Sequence, residues 1–143
     1  MPTSDDFDAA DLRSLRLAAP EVTVARLDRY LAFQRAMTAV PLSADPRAVA
    51  AAHAEAVKVS GLSAREVGEL DAVVRDFCGR RAVVRRVRRR MEAADPPVRD
   101  RLEQELASRD DDGAVERRYG RQALEALLAR EEALLALHLE RPR

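Results

Sequence analysis

The sequence predicts an all-α protein, a single-domain bundle of about five helices around one long central helix at about 64–93. Three observations carry the prediction. Apolar residues recur at helical spacing along most of the 143 residues, and no segment shows the strict alternation of a half-buried strand. Residues that start and stop helices stand where the pattern needs them. The third is composition. AVILMFWYC supply 47% of the chain but aromatics only 3%, with no Trp, so a core has to be assembled from Ala, Val and Leu. That apolar share can bury a modest core although 35% of the residues are charged.

The first helix, about 21–40, follows Pro20 and gathers Val24, Leu27, Tyr30, Leu31, Phe33, Met37 and Val40 on one broad face; Pro41 ends it. The second opens at Asp45-Pro46, an acceptor followed by a ring whose missing N–H is not needed at the first helical position. It stops at Gly61, a residue suited to the left-handed cap. The third start is the best specified. Ser63 and Glu66 have the spacing of a capping box, flanked by Leu62 and Val67 at the positions of a hydrophobic staple. From there the helix runs to about 93, roughly 45 Å at 1.5 Å per residue. Asp95-Pro96-Pro97 restarts a shorter helix to about 109, with Val98, Leu102 and Leu106 in line. Asp110-Asp111-Asp112-Gly113 reads as a turn. The last helix covers about 115–139 with an interruption at Gly120, and its stripe is Leu124, Leu127, Leu128, Leu134 and Leu135. Residues 1–20 read as an acidic strap or short helix ahead of a bundle domain at 21–143.

Several functions are disfavoured by counting. One cysteine, Cys78, cannot form an intrachain disulfide, and with only His53 and His138 beside it the chain has too few soft ligands for a Cys/His zinc site. No metal or cofactor is expected. A di-iron bundle needs Glu-x-x-His pairs, and Ala50 and Leu135 stand where those glutamates would be. Haem ligation by Met37 or Met91 with a histidine has no spacing to support it. Nucleotide-binding and nucleophile-elbow motifs are missing from the sequence. No apolar run is long enough to enter a membrane. The acidic opening, Met1 to Asp8, does not read as a signal peptide. A cytoplasmic location is the default expectation, with which an export signal already removed would also be compatible.

The formal net charge is zero, from 25 basic and 25 acidic residues, but the charges are segregated. Residues 75–90 hold eight Arg against Asp76, a net +7; residues 91–116 hold nine acids against three Arg, a net −6. Two readings follow. Arg75, Arg85, Arg86, Arg89 and Arg90 form a face that could bind a polyanion or nucleic acid through charge-assisted, bidentate bonds. Alternatively the block is a solvated face neutralised by residues 92–116 folding back. The absence of interleaved aromatics argues against a base-stacking interface.

On the long helix, Val67, Leu70, Val74, Phe77, Arg81, Val84, Arg88 and Met91 follow a 3-4 spacing, so Arg81 and Arg88 fall on the apolar seam. On the last helix Glu131 lies among the leucines with His138 beside it. A carboxylate held there needs a partner, and the expectation is an ion pair between Glu131 and Arg81 or Arg88. His53 reads as half-buried, Cys78 as a small inert hydrophobe. Gly68 and Gly79 read as places where another helix approaches closely or the long helix bends. The functional expectation is a non-catalytic interaction or adaptor-type module that self-associates through its long helix, as a homodimer or with another protein partner. Polyanion binding through residues 75–90 is the alternative.

Overall fold

The computed structural model describes residues 21–41 and 43–140, the last of these by its backbone alone. The strap expected at 1–20 lies outside the described residues. The fold is all-α, and among the described residues there is no strand. Among the described residues seven helices follow one another: α1 (Val24–Thr38), α2 (Pro46–Ser60), α3 (Ala64–Glu92), α4 (Pro96–Ala107), α5 (Asp111–Tyr119), α6 (Arg121–Ala129) and α7 (Glu131–Glu140).

Local chemistry sets the boundaries. Thr23 caps α1, its Oγ1 accepting from Arg26 N at 3.1 Å, so the helix starts three residues later than the pattern alone predicts. Val22, just outside, is buried in the core. Asp45 caps α2 through Arg47 N, and Gly61 closes it at φ 75°, the left-handed region that a Cβ would disfavour. The capping box is complete: Glu66 N donates to Ser63 Oγ at 3.1 Å and Ser63 N to Glu66 Oε1 at 3.2 Å, with Leu62 and Val67 both buried beside it.

Five expected helices become seven segments, and the departures lie after residue 109. Asp110 to Gly113 is not a turn. Asp110 is an N-cap whose carboxylate accepts from Gly113 N at 3.2 Å, and Asp111 and Asp112 occupy the first turn of α5, where the helix dipole favours negative charge. The stretch read over 115–139 has its expected interruption at Gly120, with φ 96°, and a second, unexpected break at Arg130. The predicted leucine stripe is not continuous. Leu124, Leu127, Leu134 and Leu135 are buried, whereas Leu128 is 39% exposed.

The core is one cluster drawn from every helix except α4: Leu27, Tyr30, Leu31 and Phe33 of α1, Ala56 of α2, Val67 to Cys78 of α3, Val115 of α5, and the buried residues of α6 and α7. α3 packs against α1, α4, α5 and α7, while α2 packs on α1. Gly68 and Gly79 do not mark a close helix approach, because a Cβ at either would meet nothing within 4 Å. His53 is exposed rather than half-buried, with its ring edge-on to Phe33 at 5.3 Å. No described helix is long and apolar enough to cross a membrane.

Beyond about Arg85, α3 leaves this core and continues with α4 alone. α4 turns back along it after Ala93–Asp95 and makes a two-helix arm. Two side chains of the arm are buried, Val87 and Leu102, and neither belongs to the main cluster. Arg99 straps the tip, its Nε donating to Met91 O at 3.3 Å and a terminal nitrogen to Ala94 O at 3.2 Å. Met91 O, in the last turn of α3, also accepts from Ala94 N at 3.3 Å, and Ala94 lies in the turn that leads to α4.

Candidate functional site

The arginine block divides at the junction of body and arm. Its first half is neutralised inside the chain. Arg75 pairs with Asp71 at 2.8 Å, and Arg80 bridges Asp76 at 3.0 Å and Asp111 at 3.3 Å. Arg81 reaches Asp112 at 2.6 Å and, through Nε, Glu131 at 3.0 Å, with its guanidinium 5.2 Å from the centre of the Phe77 ring. Arg85 meets Glu132 at 2.7 Å near the surface. The second half, Arg86, Arg88, Arg89 and Arg90, is exposed, and no carboxylate among the described residues lies within 4.0 Å of any of the four.

Of the two arginines on the apolar seam, Arg81 is therefore the one beside Glu131, and Arg88 lies exposed. The pair is half-buried rather than buried, at 23% and 28% side-chain exposure, because the break at Arg130 lifts Glu131 to the N-terminus of α7 instead of the middle of a leucine face. His138 is half-buried one helix-length further on in α7. The N-terminal positions of the seam, from Val67 to Phe77, are enclosed by the chain's own helices and offer no surface to a second copy. Cys78 is fully buried.

Two aspartates on α3 organise the body in a way that the sequence reading missed. Asp71 accepts the Tyr30 hydroxyl at 2.5 Å and pairs with Arg75; Asp76 accepts the Tyr119 hydroxyl at 2.9 Å and pairs with Arg80. Each is an Asp with Arg four residues on, a spacing that favours an ion pair along one helix face. That much was visible in the sequence; the tyrosines, 41 and 43 residues away, were not. Burial and the bond to Asp76 push the Tyr119 hydroxyl up to about 12. At the base of the arm, Arg109 grips Asp111 with two bonds of 2.9 and 3.0 Å, which with Arg80 holds that carboxyl below its ordinary range despite burial. Burial works against the charge on Arg80, but its bonds to Asp76 and Asp111 outweigh it and raise its pKa.

An open groove of about 250 Å³ runs along this base, lined by Arg81, Val84, Arg88, Leu106, Arg109 and Asp110 to Asp112. Its lining is mostly polar, with three arginines and three aspartates beside Val84 and Leu106. Glu131 and His138 do not line it, so the carboxylate, imidazole and guanidinium that could serve an enzyme do not converge there. Among the described residues no three His, Cys, Asp or Glu side chains group as a metal site requires.

No protein-family profile matches the chain, and neither a curated protein nor a solved structure matches it.

Proposed function

We propose that this protein is a helical interaction module with no chemistry of its own, which works by presenting the arm end of α3 to an anionic partner. One observation carries the reading: among the described residues Arg86, Arg88, Arg89 and Arg90 are exposed without a carboxylate partner, whereas the four preceding arginines of the block are paired. Like charges three and four residues apart on a helix repel by a few tenths of a kcal/mol per pair. The helix C-terminus offsets this for Arg89 and Arg90 in the last turn, but not for Arg86. The zero net charge does not cancel the effect, because exposed charges more than about 10 Å apart are screened from one another at 0.1 M salt.

Passage over heparin-agarose tests the reading. The wild-type chain should be retained at low salt and elute as salt rises, and a variant with all four arginines changed to Gln should flow through. Wild-type protein emerging in the low-salt wash would dispose of the proposal.

Self-association is a second reading, supported by the thin interior of the arm. Val84, Met91, Val98 and Leu106 are only half-buried there, and a second arm could cover them. Sedimentation velocity over a range of concentrations separates the two, since a chain that stays monomeric when concentrated cannot pair by its arms.

A further inference from the structure

Resting on the arginine surface just described, we infer that its partner is a nucleic-acid duplex, held by the phosphate backbone without sequence preference. The argument begins with the shape of the surface. At 100° per residue, Arg88, Arg89, Arg86 and Arg90 follow one another round α3 over an arc of about 200°. Val87 occupies the remaining sector and is buried against α4. A flat acidic protein surface can meet only part of such an arc. A groove with negative walls on both sides can meet all of it, and the major groove of a duplex, about 12 Å wide, admits a helix of 10–12 Å diameter.

The chemistry points the same way. All four side chains are Arg, whose planar fork takes phosphate oxygens two at a time. The arc holds one acid against its four arginines, since Glu92 falls between Arg88 and Arg89 on the α3 wheel. On α4, Asp100 stands opposite Leu102 and so faces away from α3, and Glu103 lies toward the same outer side, whereas Glu105 flanks Leu102. The last two turns of α3 carry no Asn, Gln, Ser or Thr to read base edges and no aromatic ring to stack on them. That composition suits backbone contacts, which fix position without reading sequence. Double-stranded nucleic acid is favoured over single-stranded for the same reason, because unpaired bases are held by aromatic platforms that this surface lacks.

Fluorescence anisotropy with a short labelled duplex of mixed sequence, alongside labelled poly-glutamate and a single strand, tests the inference. Four phosphate contacts predict a log–log salt slope of about −3.6, or an affinity loss of about 150-fold between 50 and 200 mM salt. Each single change, Arg86→Gln or Arg89→Gln, should reduce the slope by about 0.9, and the two should do so equally for duplexes of different sequence. The fourfold Gln variant should lose duplex binding while keeping the helical circular dichroism and thermal midpoint of the wild type. Should that variant not fold, the single changes carry the test. Poly-glutamate bound in preference to the duplex would overturn the duplex assignment and leave the anionic-partner reading standing. Binding of neither would overturn both. Duplex binding that survives the fourfold change would remove the arm as the site.

Discussion

Between Val67 and Cys78, α3 buries six side chains in a core shared with α1, α5, α6 and α7; from Arg86 to Glu92 the same helix buries one, Val87, against α4. The two halves handle charge as differently. In the body, Asp71, Asp76, Asp111 and Glu131 receive the arginines of α3 within 3.3 Å. In the arm, four consecutive basic side chains of α3 face solvent. An arginine beside a packed core needs a carboxylate or it pays for desolvation, and one on a solvated two-helix arm does not. The contrast divides one helix into a half packed as scaffold and a half whose arginines are left to solvent.

The largest effect should separate the two regions. Leu127 is fully buried in the body, and Leu127→Ala should cost roughly 2–5 kcal/mol in urea unfolding. Leu102→Ala, in the arm, should leave the global midpoint near wild type and instead accelerate amide exchange in α4, because local opening there need not disturb the body. Equal losses of global stability would show that arm and body unfold as one unit.

Next in size is Asp111→Asn, which removes two hydrogen-bonded ion pairs of a largely buried carboxylate and should cost about 1.5–3 kcal/mol at neutral pH. The folded pKa of Asp111 lies below its unfolded value of about 3.9. Its contribution is therefore present above that value and is lost as pH falls through the depressed one. Wild type and variant should converge in acid, starting at about pH 4. A gap that persisted unchanged at lower pH would point to packing instead of charge.

A smaller loss, about 1 kcal/mol, is expected for Tyr119→Phe, which leaves Asp76 with its two arginines. Here the shift is upward, to about 12. The contribution is full below the unfolded value of about 10 and fades as pH rises toward the folded one. Ultraviolet titration of the wild type should show a tyrosine transition near 12 that the variant lacks. The smallest effect is Glu131→Gln, below about 1 kcal/mol, since both members of its pair with Arg81 keep contact with solvent. A thermal midpoint lowered by more than Tyr119→Phe lowers it would mean that this pair is shielded better than its geometry indicates.

Helices α1 to α4 were largely legible from sequence because local chemistry decides their ends. Ser63 with Glu66, Asp45 with Pro46 and Gly61 fix ends through neighbours a few residues away. The C-terminal third was less legible. Asp110 to Gly113 suits a turn and an N-cap equally well, and what stands around it, Arg80, Arg81 and Arg109, comes mostly from another helix. Arg130 carries no helix-breaking signature at all; its side chain leaves to meet Asp28 at 2.7 and 3.2 Å on α1. The candidate surface was visible as a cluster of eight arginines, but its division into paired and unpaired halves depends on where α5 and α7 deliver their carboxylates. Periodicity cannot report that.

The Asp28–Arg130 bond joins residues 102 positions apart, whereas the arm is formed by segments adjacent in the chain. Chain closure over a long loop is entropically costlier and slower than closing a hairpin. The arm therefore needs the shorter search, while the contacts of α1 with α6 and α7 close the longer loop. The connection between Asp28 and Arg130 then works as a late clasp. Its loss should quicken unfolding and leave the folding rate almost unchanged, a distinction that stopped-flow measurements on Asp28→Asn would draw.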